Sequence, residues 1–254
     1  MRQPLLMLVM AMGLSACVVE GGPKTDPVEG ARSRVAIAAE YLQKGELDLA
    51  QRHLLRALEI NPKSAEAHNI MGALMERDGD PKQAEEHYRK AIAFKDDYPQ
   101  AHFNYGVLLY KQGRFAEAEK QFLPPSEDIA YERRAYALEN LGLCLQAMNE
   151  KARAQAAFEK ALRVDSFMAT SALELAVLAY ERQDQPVAAV YYARYRKALG
   201  RDTVQSARGL WLGIRLARLG PDSSALAGYA QSLKQFYPDS PEYREYLRTQ
   251  AGGS

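Results

Sequence analysis

The sequence has little cysteine and almost no excess charge, and it lacks the short motifs of common catalytic sites. Two cysteines in 254 residues, Cys17 and Cys144, are too few for a disulfide framework or a paired Cys/His zinc site. The 33 basic and 32 acidic residues leave a formal charge of +1, which gives no general attraction for nucleic acid. HExxH, GxSxG and GxxxxGK are all absent. We therefore predict no enzyme activity, no catalytic residue, no cofactor and no small-molecule substrate.

A long apolar run is also missing. The N-terminal run Leu5–Leu14 follows Arg2 and has only ten residues, whereas a membrane-spanning helix needs about 20. This length is typical of a secretory signal peptide. The four residues that begin with the last residue of this run, Leu14-Ser15-Ala16-Cys17, resemble the bacterial lipobox. The resemblance implies cleavage before Cys17 and acylation of that cysteine, so residues 1–16 are predicted to be a lipoprotein signal peptide. An ordinary signal peptide cleaved elsewhere is the alternative.

The residues after Cys17 indicate where the lipid would hold the chain. Val18 occupies the place where lipoproteins retained in the inner membrane commonly carry Asp, so the resemblance implies the periplasmic face of the outer membrane of a Gram-negative bacterium. Three acyl chains would anchor the protein durably, since one chain alone binds only marginally. Residues 17–30 contain three glycines and two prolines, and we predict that they form a flexible tether.

The body of the chain repeats itself. LRALEINPKSAEAHNIMGALMERDG and YRKAIAFKDDYPQAHFNYGVLLYKQG share the order of residue types at a shift of 34 residues, the period of tetratricopeptide (TPR) repeats. We number the positions of each unit from its first residue. Small residues recur at position 8, alanine at position 20 and a larger residue at position 24. The predicted units span 31–64, 65–98, 99–134, 135–168, 169–205 and 206–239.

This pattern predicts an all-α fold, a right-handed superhelix of six TPR helical hairpins with a C-terminal capping helix at 240–250. Glycines such as Gly45, Gly113 and Gly220 fit the turns inside the hairpins, where a positive φ favours glycine. Pro124 and Pro125 predict that the second helix of the third unit stops near Leu123.

The repeat also accounts for the residues that invite a chemical interpretation. His53 and His87 are 34 residues apart, as are His68 and His102, so each pair occupies equivalent places in successive units and need not converge on a metal ion. We predict no metal site. Cys144 is predicted to be a free thiol near the helix-packing surface.

A candidate partner-binding groove follows from helix geometry. At about 100° per residue, positions 2, 5, 9 and 12 of each first helix lie on one side, which lines the concave face in TPR proteins. These positions are largely apolar from the third unit onward, and an exposed apolar stripe indicates an interaction site. The predicted groove residues are Val35, Leu42, Asn69, Phe103, Val107, Tyr110, Tyr136, Leu143, Leu173, Val177 and Tyr180.

Two features limit this prediction. The C-terminal helix, with Tyr243, Tyr246 and Leu247, is an alternative occupant of the last units. Chaperone-binding TPR relatives hold a partner's terminal carboxylate with Lys and Asn side chains, where this sequence has Val35, Ala39 and Ile70. A terminal carboxylate is therefore not the predicted ligand.

The lipobox, the tether, six repeats, the NPKSAEAHNIMGAL segment and the double proline together resemble the PilF/PilW family of type IV pilus biogenesis lipoproteins. The resemblance covers the whole chain. It implies a pilotin, a non-enzymatic protein that promotes outer-membrane localisation and multimer assembly of the type IV pilus secretin, and so supports twitching motility. Alternatives are a scaffold for another envelope machine, such as outer-membrane protein insertion or cell-wall synthesis, and a repeat-bearing envelope enzyme, although the repeats leave no room for a catalytic domain.

Overall fold

The computed structural model describes residues 26–200, 203–220 and 223–251. The predicted signal peptide, Cys17 and most of the predicted tether lie outside the described residues. The described part contains thirteen helices: α1 (Pro27–Lys44), α2 (Leu47–Ile60), α3 (Ala65–Asp78), α4 (Pro81–Phe94), α5 (Pro99–Lys111), α6 (Phe115–Glu127), α7 (Arg134–Ala147), α8 (Lys151–Val164), α9 (Ala169–Glu181), α10 (Gln185–Leu199), α11 (Ala207–Ala217), α12 (Ser223–Phe236) and α13 (Pro241–Ala251).

The first twelve helices pack as six consecutive hairpins, from α1 with α2 to α11 with α12, and α13 packs on the last hairpin. Each first helix also contacts the second helix of the preceding unit, which is the stacking expected of a solenoid. The prediction of an all-α array of six TPR hairpins with a C-terminal helix is confirmed. Among the described helices, none combines the length and the apolar content needed to cross a membrane.

The residue at position 8 is glycine in the second, third and fourth units, where an aromatic ring of the same unit lies against it. A Cβ atom added to Gly72 would lie 2.6 Å from the ring of Tyr88, and one added to Gly142 would lie 2.6 Å from the ring of Phe158. Phe158 is fully buried and Tyr88 almost so. The glycine therefore allows the two helices of a unit to close on a ring that fills the space between them.

In five units the residue at position 15 has a left-handed backbone conformation, but in only three of them is that residue glycine. Gly45, Gly79 and Gly113 have φ of 80°, 84° and 74°, while Asn149 and Gln183 both have φ of 63°. Asparagine tolerates this region better than most residues. Gly220 holds position 15 in the sixth unit, but its φ is not positive. The expectation of a positive φ there is therefore wrong.

The predicted tether ends earlier than residue 30. Helix α1 begins at Pro27, where Asp26 is the N-cap and its Oδ1 accepts a hydrogen bond from the Val28 N–H at 2.9 Å. A proline in the first turn removes no helix hydrogen bond, since the first backbone N–H groups of a helix have no intrahelical acceptor. Residues 27–30 therefore form the first turn of α1, and the tether prediction is wrong for them.

The prediction that the double proline stops the helix near Leu123 is also wrong. Helix α6 continues to Glu127, with Pro124 and Pro125 inside it. Both prolines lie in its last turn, where little helix follows. The Asp128 N–H still bonds to the Pro124 carbonyl at 3.1 Å, and the Ser126 hydroxyl bonds to the Leu123 carbonyl at 2.8 Å. These bonds close the turn despite the two missing donors.

Candidate functional site: the concave face

The concave face is built by the first helices of successive units. Neighbouring first helices touch along the array, from α1 with α3 to α7 with α9. Position 5 lies at the contact between them, and it is buried in all six units. Its occupants are Val35, Asn69, Phe103, Glu139, Leu173 and Leu210.

This burial corrects part of the predicted groove. Five of the eleven predicted residues are at most 9% exposed and cannot form an open contact surface: Val35, Leu42, Asn69, Phe103 and Leu173. Helical periodicity gives the direction of a side chain but does not show how closely the next helix approaches it.

Local contacts explain two of these cases. The ring of Phe103 packs against Tyr131, with 6.3 Å between centroids, and the guanidinium of Arg133 lies 4.4 Å from the Phe103 centroid. The irregular connection between α6 and α7 therefore covers Phe103. Asn69 donates from Nδ2 to the Tyr98 hydroxyl at 3.3 Å and accepts from Asn104 Nδ2 at 2.9 Å, so its amide joins two units.

The other predicted residues keep exposed surface. Positions 9 and 12 of the third to fifth units are partly exposed, and Tyr136 is 48% exposed at their edge. We call five of them the concave stripe: Val107, Tyr110, Leu143, Val177 and Tyr180. The stripe runs over three consecutive units on α5, α7 and α9.

Two buried carboxylates lie on the helices that carry the stripe. Glu139 Oε2 accepts from the Ser171 N–H at 2.9 Å and from its hydroxyl at 2.8 Å. Burial raises the pKa of Glu139, although these hydrogen bonds oppose the shift. Glu174 accepts from Gln146 Nε2 at 2.7 Å and pairs with Arg208 Nη2 at 2.9 Å. Both carboxylates are thus held by neighbouring units, and the stripe offers apolar contact rather than acid or base chemistry.

The alternative occupant, the C-terminal helix, packs mainly on the last unit. Leu210, Ile214 and Leu233 form a small buried cluster, against which Tyr243 and Tyr246 of α13 pack. Leu210 and Ile214 hold positions 5 and 9 of the sixth unit, so α13 closes the concave face there. Leu247 points outward and is 48% exposed. At the end of the stripe, Tyr180 lines a cavity together with Glu245 and Thr249 of α13, while the stripe from Val107 to Val177 is left open.

One feature of the site was missed by the sequence reasoning. The Arg215 guanidinium lies 4.0 Å from the ring centroid of Tyr180 and 5.9 Å from that of Trp211. Arg215 is at position 10, outside the set assigned to the concave face, and only its long side chain brings the charge to Tyr180. The stripe therefore ends in an aromatic and cationic boundary.

Two histidines that are not 34 residues apart do meet, within the second unit. His68 Nδ1 and His87 Nδ1 are 3.0 Å apart, within one unit. Burial lowers the pKa of His87 to about 4, with a further lowering from the charge of His68. No group of three or more metal-binding side chains occurs within residues 26–200, 203–220 and 223–251.

Cys144 is a fully buried free thiol, as expected, and burial raises its pKa to about 12.

Comparison with known proteins agrees with this architecture. Family models described as TPR repeat or tetratricopeptide repeat match residues 38–79, 77–141 and 139–202. The crystal structure of PilW, a widely conserved type IV pilus biogenesis factor, has a TM-score of 0.69 at 23% identity and shows the same fold, over 85% of this chain and 98% of that one. The chain is a TPR protein.

Two closer matches define the family. The type IV pilus assembly protein PilF of Pseudomonas aeruginosa is 38% identical over 246 residues, which is 95% of this chain and 96% of that protein. A solved structure of Pseudomonas aeruginosa PilF has a TM-score of 0.82 at 37% identity, and the match covers 88% of this chain and 99% of that one. The chain belongs to the PilF family of type IV pilus biogenesis TPR proteins.

Proposed function

We propose that this protein is an outer-membrane lipoprotein that binds the type IV pilus secretin subunit through the concave stripe and promotes its localisation and multimer assembly. The observation that carries the proposal is the open apolar stripe on three consecutive units of a PilF-family chain. The predicted lipidation of Cys17 supplies the membrane attachment. No catalytic step is needed.

The mechanism would rest on contact and tethering. Burying one large apolar side chain of a partner contributes about 1.5–3 kcal/mol, so a few such contacts along the stripe would hold a partner segment. The buried carboxylates below the stripe are already satisfied and need not be desolvated when the partner binds. Attachment at Cys17 would raise the effective concentration of bound secretin subunits at the membrane, where they meet one another.

The stripe is tested by replacing Val107, Leu143 and Val177 with serine. All three are partly exposed, so the substitutions should leave the repeats folded by circular dichroism. Phe103 is unsuitable because it is buried. We expect secretin binding to weaken by roughly 10- to 100-fold, since apolar anchors at the centre of an interface carry most of its energy.

A matched control changes apolar residues on second helices. Leu55, Val187 and Val190 are 50%, 36% and 67% exposed on α2 and α10. Their replacement by serine should leave secretin binding unchanged. If the stripe variant binds as the control does, the partner uses another face. Recovery of a different envelope assembly with the wild-type chain, in place of the secretin, would favour the other scaffold function.

The tether is tested separately with Cys17→Ala. We expect the protein to leave the outer-membrane fraction and secretin multimers to decrease, while binding of purified secretin subunits is retained. If both membrane fractionation and multimers are unchanged, the proposed tethering mechanism is wrong.

A further inference from the structure

A second surface lies away from the concave stripe. A cleft of about 690 Å³ opens between α6 and α8, the second helices of the third and fourth units, with α7 as its floor. The floor residues are Leu138, Leu141 and Leu145 of α7, which hold positions 4, 7 and 11 of the fourth unit. These positions face away from positions 2, 5, 9 and 12 of the same helix. The cleft is therefore separate from the concave stripe.

The preceding units place polar side chains at the equivalent positions. In the second unit, His68 at position 4 meets His87 at position 23, with 3.0 Å between their Nδ1 atoms. In the third unit, His102 Nδ1 and Gln121 Oε1 are 2.9 Å apart at the same two positions. In each case the position 4 histidine also bonds through Nε2 to a backbone carbonyl of the preceding connection. A polar bridge thus joins the two helices of the unit there.

The fourth unit has no such bridge. Its positions 4 and 23 carry Leu138 and Ala157, which are buried apolar residues without hydrogen-bonding groups in their side chains. Leu123 of α6 and Ala156 of α8 form the two walls. Leucine and alanine thus replace the polar pair of the second and third units, and the apolar surface of the cleft that stays exposed belongs to Leu123, Ala156 and Val164.

The rim of the cleft is strongly basic. Arg134, Arg153, Lys160 and Arg163 line it, with Glu127 as the one acidic residue among its lining. Arg134 donates to the Ser126 carbonyl, and Arg153 pairs with Glu119 and Glu150. Within the described part of the chain, Lys160 and Arg163 have neither an ion pair nor a side-chain hydrogen bond, and both are exposed on α8.

We propose that this cleft binds an acidic amphipathic segment of a partner protein, with its apolar side chains against Leu123, Ala156 and Val164 and its carboxylates at Lys160 and Arg163. Charge complementarity argues for this occupant: Arg153 is paired with Glu119 and Glu150, but Lys160 and Arg163 remain exposed and unpaired at the rim. The cleft is open to solvent between two helices, which suits an amphipathic helix laid in a groove more than an acyl chain, whose whole length has to be buried. The proposal does not depend on secretin binding by the stripe.

The test uses a panel of labelled amphipathic peptides of about 15 residues, with leucine or phenylalanine on one helical face and glutamate on both flanks. Binding to the full chain, purified in detergent, is measured by fluorescence anisotropy at low and at physiological salt. Peptides of the same composition in scrambled order, and peptides with lysine in place of glutamate, are the ligand controls.

Two variants probe the two halves of the site. K160E/R163E reverses the unpaired rim charges, and we expect peptide affinity to fall by about tenfold or more. A156W fills the cleft from an exposed wall position without changing charge, and it should weaken binding similarly. The matched control is R56E/K90E, which reverses two exposed cations at position 26 of the first and second units, the position that Lys160 holds in the fourth. It should bind as the wild type does.

Several results would overturn the proposal. Equal losses in K160E/R163E and R56E/K90E would mean a general electrostatic effect, and unchanged binding in A156W would exclude the apolar wall as a contact surface. If no peptide of the panel binds more tightly than its scrambled control, the cleft is not a peptide site. If dihexanoyl phosphatidylglycerol binds in a manner that depends on Lys160 and Arg163 while the peptides do not, the occupant is an anionic lipid instead.

Discussion

The close approach of helices within each hairpin is tested by Gly142→Ala. The new Cβ would lie 2.6 Å from one ring carbon of Phe158 and 2.7 Å from a second, and the fully buried ring has no open space to enter. Overpacking of this kind costs about 1–3 kcal/mol, whereas replacing glycine inside a helix gains about 1 kcal/mol. We therefore expect a net loss of up to about 2 kcal/mol, or a midpoint of thermal unfolding lower by up to about 8 °C.

The control is a double-mutant cycle measured by circular dichroism. Ala38 and Leu54 hold the same two positions in the first unit and are both fully buried. Gly142→Ala combined with Phe158→Leu copies that pair. The smaller side chain should relieve the clash, so the double variant is expected to be more stable than the sum of the single effects by about 0.5–3 kcal/mol. An additive cycle, or a Gly142→Ala chain more stable than the wild type, would refute the packing argument.

The remaining predictions concern two buried titratable groups. The thiol of Cys144 should resist a thiol reagent in a variant where it is the one cysteine and react in urea, since burial raises its pKa to about 12; rapid reaction of the folded chain would contradict its burial. The lowered pKa of His87, about 4 in the fold against about 6.5 unfolded, means that the unfolded chain binds more protons between these values. Stability should therefore fall as pH drops from 6.5 toward 4, and His87→Gln, which copies the His102–Gln121 pair, should flatten this loss in urea unfolding at pH 7 and pH 5. An identical pH dependence in the variant would assign the effect to other groups.

Much of the fold follows from the sequence because the repeat period imposes it. Small residues at position 8 and larger residues at position 24 predict the hairpins, and the structure shows Gly142 and Phe158 in direct apposition. Burial along the concave face was predicted less well. Phe103 looked like an open groove residue, yet Tyr131 and Arg133 from the irregular connection cover it.

The candidate sites show the same limit. Periodicity gives the angle of a side chain around its own helix, but the approach of neighbouring helices and loops depends on long-range packing. The basic cleft has one signal in the sequence: Leu138 and Ala157 replace the polar pairs that the second and third units carry at positions 4 and 23. Its depth, however, depends on the separation of α6 and α8, which no local pattern specifies.

The central claim is that the concave stripe contacts the secretin, and crosslinking in cells tests it most directly. A photo-crosslinking amino acid is placed at Val177 in the stripe and, as the control, at Val190 on α10, which is 67% exposed. We predict a crosslinked product that contains the secretin subunit from position 177 and none from position 190. Secretin crosslinks from position 190 with none from position 177 would contradict the assignment of the binding face.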